Sequence, residues 1–312
     1  MGGPMTDGGS GRELAASIGR VGLWTGQLDF HPFSRVREVV ARLEELDYGA
    51  LWFIEAVGRE SLTQAALLLG VTNRMVIGTG ITSIWGRDAM AMAAAHRTLT
   101  DAYGDRFVLG LGVSHPPLVE KLRGHRYQRP LDYMRRYLDA MDSAPIQAPL
   151  APEVQPVRVL AALGPRMMEL AAERTAGALT YLVTPEHTEQ ARSGLGPGPL
   201  LAVEQAVVVT SDRAEARRIG RAYLKVYLSF PAYLANWERL GFTSDDFTGG
   251  GSDRLVDAMV LAGDAGSTAE QLRAHYDAGA DHVCIQVLDS EPTGLPQAAW
   301  EELAPVEQSA PT

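Results

Sequence analysis

The 312-residue chain is 46% hydrophobic and 21% charged, an ordinary globular balance that excludes disordered and fibrous classes for all but its ends. Its 28 Lys and Arg against 38 Asp and Glu leave a net charge of −10, which argues against general nucleic-acid binding, a function that runs on basic surface. No apolar run approaches the roughly 20 residues of a membrane helix, and the lone Cys284 excludes an internal disulfide and a cysteine-rich metal site.

Met1–Gly11 is Gly-rich, with neither a basic start nor an apolar stretch. Residues 1–19 therefore read as a flexible leader rather than a secretion signal, and a cytoplasmic protein without a membrane partner is expected. Beyond it, short β-rich runs bounded by Gly or Pro alternate with longer amphipathic stretches, the pattern of repeated βαβ units. Strands are predicted at Arg20–Trp24, Ala50–Glu55, Met75–Ile81, Phe107–Gly112, Val157–Ala161, Ala178–Leu182, Val203–Thr210 and His282–Leu288. Helices are predicted at Ser34–Leu46, Leu62–Gly70, Ala89–Tyr103, Arg129–Met141, Pro165–Arg174 and Thr268–Ala278. Eight strands in alternation point to an α/β protein, a closed (β/α)8 barrel, in one domain over residues 20–300.

The period breaks across Val113–Gln128 and again across 211–266, too long for a crossover helix. In the second break, Asp212 and Glu215 read as a capping pair that opens a helix through about Tyr227, Pro231 stops or kinks it, and Leu255–Val260 begins another. Insertions that follow barrel strands land on the catalytic face, so 211–266 is expected beside a substrate. Gly194–Pro199 reads as a turn and residues 301–312 as a flexible tail.

The stretches GTGITSIWGRDAMAMAAAHRTLTDAYGDRFVLGLGVSH (Gly78–His115) and ALGPRMMELAAERTAG (Ala162–Gly177) resemble luciferase-like flavin-dependent oxidoreductases, most of all the actinobacterial branch that uses the deazaflavin coenzyme F-420. The likeness runs from about Arg20 to Leu288. It implies a TIM barrel with the cofactor, F-420 or alternatively FMN, across the C-terminal ends of the strands, a small-molecule substrate and a homodimer. The reaction implied is hydride transfer between F-420 and a small organic substrate. An FMN monooxygenase and a cofactor-binding barrel without turnover are the alternatives.

Three strand ends carry the expected cofactor contacts. In GTGITS, glycines permit close backbone approach to a flat ring. The resemblance implies a bulge with a non-proline cis bond at Gly80–Ile81, and Thr82 and Ser83 touching the ring. A cis bond of this kind costs about 3–4 kcal/mol and persists only where packing enforces it. In LGLGVSH, Val113, Ser114 and His115 stand at the barrel mouth, and His115 is the expected catalytic residue. It occupies a position where the deazaflavin enzymes commonly carry an acid, and serves as acid/base or as a hydrogen-bond donor only. After the fifth strand, Gly164, Pro165, Arg166 and Met167 open a helix whose free amides and guanidinium suit an anion, and by resemblance this is the phosphate site. Tyr181, Leu182 and Val183 are expected to close over it.

Trp24, Glu55 and Trp85 are candidate substrate-pocket residues, with a rim salt bridge as the alternative for Glu55 and plain packing for Trp85. The resembled family's acidic-histidine pair after the second strand is replaced by Glu55-Ala56, which argues against a sugar-phosphate dehydrogenase. Lys121–Arg129 (KLRGHRYQR) is a basic cluster in an acidic protein, read either as a grip on cofactor anions or as a solvated loop. His96, His275 and His282 lack metal-ligand spacing, so no metal is expected.

Overall fold

The strands run parallel and close on themselves. The protein is represented by a computed structural model that describes residues 8–147 and 155–305. In chain order, α1 (Gly8–Ile18) precedes β1 (Val21–Trp24) and α2 (Phe33–Glu45), then β2 (Ala50–Ile54) and α3 (Ser61–Leu69). Next come β3 (Val76–Ser83), α4 (Ala89–Tyr103), β4 (Phe107–Gly112), α5 (Pro130–Asp142), β5 (Val157–Ala161) and α6 (Pro165–Arg174). They are followed by β6 (Gly177–Thr180), α7 (Pro185–Leu195), β7 (Leu200–Val209), α8 (Arg213–Tyr227), α9 (Pro231–Arg239) and α10 (Asp253–Met259). The chain ends with β8 (Val260–Gly263), α11 (Ala265–Asp277), β9 (His282–Val287) and α12 (Gln297–Glu302).

The sheet order is β6-β5-β4-β3-β2-β1-β9-β7-β8, and β7 also pairs with β6, so eight strands close a (β/α)8 barrel. The ten-residue β7 shares one edge with β9. Its other edge pairs first with β6, over Leu200–Val203, and then with β8, over Ala206–Val209. β8 is thus an extension above the barrel. Four residues directly after a helix carry no period of their own, which is why sequence reading ran the helix into them. α7 also lies outside the predicted helices.

The leader is not a loose segment from Gly8 onward. Leu14 and Ile18 of α1 are buried against the inner barrel residues, and a Cβ on Gly11 would collide with Gly198 and Ala176 oxygens beside the start of β7. α1 therefore caps the N-terminal end of the barrel, a role set by contacts far along the chain. The expected tail likewise begins inside α12, with Leu303 buried; the rest of it, 306–312, lies outside the described residues, as does 1–7 of the leader. No described helix is long and apolar enough to cross a membrane.

Alternate residues of the strands fill the barrel. Trp24, Trp52, Val76, Val108, Val159, Leu179, Ala202 and Cys284 form the inner core. Space for the two indoles comes from β3: a Cβ on Gly78 would lie 2.3 Å from Trp52, and one on Gly80 2.2 Å from Trp24. A larger cluster joins the outer strand faces to the helices. A third packs the insertion onto the β7–β8 extension through Leu224, Phe230, Tyr233, Trp237, Leu255 and Met259. The insertion is helical throughout its core. Asp212 accepts from the amides of Ala214 and Glu215 to cap α8, and Pro231 opens α9 instead of merely ending a helix.

Candidate active site

At the end of β3 the register slips against both neighbours, between Phe53 and Ile54 of β2 and, against β4, between Gly78 (opposite Val108) and Thr82 (opposite Leu111), which marks a β-bulge around Gly80–Ile81. The expected cis bond is absent: no described peptide bond is cis. One extra residue redirects the chain by itself. Gly80 leaves room for the Trp24 indole rather than for a ligand, and Trp24 leans on Tyr181 with ring centroids 4.9 Å apart. Ile81 lies over Gly112, whose missing Cβ would fall 2.4 Å from its Cδ1. Thr82 turns away from the barrel axis and shares a 3.0 Å hydrogen bond with Ser61 of α3, because successive strand residues alternate faces.

Ser83 stays on the mouth side. Its amide donates to Glu55 Oε2 at 2.8 Å, and its hydroxyl accepts from the Trp85 amide at 3.3 Å. Glu55 is the rim salt bridge: Arg87 donates to it at 2.5 and 3.2 Å while also contacting Glu60, and the carboxylate side chain is only 5% exposed. Trp85 packs. Its indole stacks on Tyr133 at 4.2 Å and 5°, and Nε1 donates to the Val113 carbonyl at 2.8 Å.

After β4, Ser114 takes a left-handed conformation (φ 55°), and its carbonyl accepts from Tyr127 Oη at 3.3 Å. That turn carries His115 toward the insertion, where its imidazole stacks on Phe230 at 4.2 Å and 5°, with Tyr233 at 5.4 Å. Nδ1 is buried without a hydrogen-bond partner. Burial pushes the pKa down to about 4, so the ring is neutral at pH 7 and offers one donor and one acceptor. A standing proton donor at neutral pH is therefore not what His115 is. A cavity of about 330 Å³ opens between the ends of β2, β3 and β4, lined by Glu55, Val57, Ser83, Ser114, Leu122 and Arg123 among others; Ser114 lines it, whereas the His115 ring turns to the insertion.

At α6, Gly164 caps in an extended conformation and its carbonyl accepts from Met167 and Met168. Pro165 and Arg166 are exposed, and Arg166 has no acceptor among the described residues. Arg239 of α9 reaches the same turn and donates to the Leu163 carbonyl at 3.3 Å. Tyr181, Leu182 and Val183 do not lie open over this helix start. All three are largely or wholly buried, and Leu182 adopts φ 52°, with its carbonyl accepting from Trp237 Nε1 at 3.1 Å. The turn after β6 tucks the chain beneath the insertion.

Tyr181 instead centres a hydroxyl cluster in the mouth. It contacts Tyr223 and Tyr227 (2.9 Å), and donates to Gln286 Oε1 at 2.7 Å. Below lies Glu204 on β7, wholly buried; one oxygen accepts from the Leu182 amide at 3.0 Å and the other has no partner. Burial raises its pKa to about 8 against the pull of that amide. Sequence reading missed Glu204, and the only signal was an acid inside the otherwise apolar run LLAVEQAVVV. A larger cavity, about 470 Å³, sits away from these strand ends, beside the start of α8. Its Arg213 and Arg217 are paired with Asp257, each at 2.6 Å.

A family model described as luciferase-like monooxygenase matches residues 14–282. A Mycobacterium tuberculosis protein named as a candidate coenzyme F-420-dependent oxidoreductase is 27% identical over an alignment that covers 87% of this chain and 96% of its own. Among solved structures, an F-420-dependent secondary alcohol dehydrogenase in complex with an F-420–acetone adduct superposes with a TM-score of 0.72 at 13% identity, covering 91% of this chain and 97% of that one. The FMN-bound oxygenating constituent of a 3,6-diketocamphane monooxygenase of Pseudomonas putida superposes with a TM-score of 0.67 at 15% identity, covering 91% and 96%. At such identities the superpositions show the shared fold.

Proposed function

This chain belongs to the luciferase-like monooxygenase family, and from that premise we propose that it is a deazaflavin-dependent oxidoreductase which moves a hydride between coenzyme F-420 and a small organic substrate. The observation that carries the site is the half-buried imidazole of His115 at the end of β4. It has an orphan Nδ1, and Ser114, the residue before it, lines a cavity formed by three strand ends. The deazaflavin in preference to FMN is supported by the mycobacterial relative, whose likeness spans nearly the whole of both chains.

The residues present suit such a group. His115 already holds a flat ring, Phe230, face to face at 4.2 Å, so the slot accepts aromatic stacking. The start of α6 combines a helix N-terminus with the free Arg166, a donor set that fits a phosphate. When bound, a deazaflavin supplies or accepts the hydride. The chain would hold its anionic end at Arg166 and the α6 turn, and keep water from the reacting face with Leu118 and Leu122. The neutral imidazole of His115 would take or give one hydrogen bond at Nδ1, the atom at which a proton is handled.

Fluorescence titration with F-420 and with FMN, each in both redox states, tests the reading. Tighter binding of FMN than of F-420 rejects it in favour of the monooxygenase, and F-420 binding without turnover on any substrate leaves a carrier. Arg166→Ala should weaken F-420 binding about tenfold, the worth of one charge-assisted phosphate contact; unchanged affinity would move the phosphate elsewhere. His115→Gln should lower kcat roughly 100-fold. Because burial holds the wild-type ring neutral down to about pH 4, the wild-type rate should show no step near pH 6.5, and a step there in wild type that is lost in the variant would contradict the assigned neutral ring.

A further inference from the structure

The cavity between the ends of β2, β3 and β4 has one apolar wall and one charged corner. Val57 and Leu122 stand at its edge, 79% and 62% exposed, with Leu118 beside them. Large apolar side chains left this open beside a cavity are suited to an apolar ligand body. Of the two charged groups that line it, Glu55 is neutralised by Arg87. Arg123 has no carboxylate or carbonyl acceptor among the described residues. Arg123 therefore keeps its full charge and its donors for a ligand at the cavity, in a chain with ten more acids than bases.

The loop that bears it is fastened in place. Tyr127 Oη donates to the Ser114 carbonyl at 3.3 Å, the Tyr127 amide to Glu120 at 3.2 Å, and the His125 amide to the Val119 carbonyl at 3.1 Å. Gly86 lets Arg123 lie against the turn after β3, since a Cβ there would sit 3.1 Å from Nη1. Lys121 and Arg126 are exposed on the same loop, also without ion-pair partners among the described residues, and add to the local positive field.

We propose that this cavity binds a ligand with an apolar body and a terminal anion, a carboxylate or phosphate ester, which the Arg123 guanidinium receives in a paired, two-bond contact. The inference names the ligand class of the site proposed above and rests on that reading for the reaction, though not for the binding. The anion belongs either to the substrate or to a side arm of the cofactor; the chemistry at Arg123 is the same.

Trp85, which packs behind Ser83 and Val113, provides a fluorescence readout for probes without enzymatic activity. Phenylacetate and phenyl phosphate should bind saturably and at least about tenfold more tightly than neutral phenylacetamide, with affinity falling as salt rises. Arg123→Gln should bring both anions down to the level of the amide, Arg123→Lys should recover part of the difference, and Arg135→Gln, on the exposed face of α5, should change nothing. Equal binding of anion and amide by wild type, no loss in Arg123→Gln, or no saturable anion binding at millimolar concentration each overturns the proposal. Titrating F-420 into Arg123→Gln assigns the anion: weakened binding puts it on the cofactor, unchanged binding on the substrate, and either agrees with the proposal once the probes have passed. Should wild type bind the anions but neither F-420 nor FMN, the oxidoreductase reading fails while the anion site stands.

Discussion

Glu204→Gln is expected to stabilise the protein at pH 7 by a few kcal/mol and to remove a downward slope of stability between about pH 5 and 8. Glu204 is wholly buried on the inner face of β7, with a single backbone amide for company and no cation beside it. Burial raises its pKa to about 8 from an ordinary 4.5. Between those values the folded protein keeps the proton and the unfolded chain releases it. Rising pH therefore favours unfolding, by up to about 1.4 kcal/mol per pH unit, until the folded pKa is passed and the loss levels off. The cost is absent below pH 4.5 and amounts to roughly 3 kcal/mol at pH 7. Glutamine keeps the shape and the acceptor for Leu182 but has no proton to lose. Denaturant unfolding of both proteins at pH 5, 6, 7 and 8 isolates the effect, since every other titrating group cancels in the difference. Two parallel profiles would mean that Glu204 is ionised in the fold.

The insertion depends on one side chain in the same way. Trp237→Ala should cost roughly 3–5 kcal/mol, the range for emptying a large aromatic site in a core. Trp237 is fully buried, its ring lies against Tyr233 and Phe247 at centroid distances of 5.7 and 6.1 Å, and Nε1 donates to the Leu182 carbonyl at 3.1 Å. Alanine leaves both a cavity and an unsatisfied carbonyl at a left-handed residue. Because α8 and α9 hold Tyr227, Phe230 and Tyr233 over the barrel mouth, the loss should be felt first there. Limited proteolysis should cut faster within 213–259, while the barrel survives to higher denaturant. A destabilisation under 1 kcal/mol with unchanged cleavage would place the anchor of the insertion elsewhere.

The tyrosines and Phe230 also set what a ligand must do on entry. Tyr181 and Tyr223 donate to Gln286, Tyr227 bonds to the Tyr181 hydroxyl, and burial raises all three phenol pKa values. They are neutral, buried hydroxyls above a neutral acid. A flat ring that stacked on His115 would have to take the place of Phe230, so the stability of α9 and the affinity for such a ring are coupled through the same contact.

Local pattern carried the alternation of strands and helices, and together with the family resemblance it pointed to the barrel. Strand and helix periods, the Gly-Pro start of α6 and the Asp212 cap of α8 are written in neighbouring residues, and each matches an element of the structure. Resemblance to a family then brought the strand ends of β3, β4 and α6 together as one candidate site, which no spacing could have done. What neighbouring residues could not carry is everything that depends on a distant partner. Gly80 fits a close approach of either a ligand ring or an indole, and only the barrel interior reveals Trp24 as its occupant. Thr82 and Ser83 differ by one position and therefore face opposite sides of β3, a choice made by the bulge. The α1 helix needs the barrel floor for Leu14 and Ile18 to be worth burying. His115 and Glu204 have ordinary pKa values in a peptide. The fold moves them in opposite directions, to about 4 and about 8, through Phe230 and Tyr233 around the imidazole and the closed wall of strands around the carboxyl, because desolvation acts through whatever the fold packs around a charge.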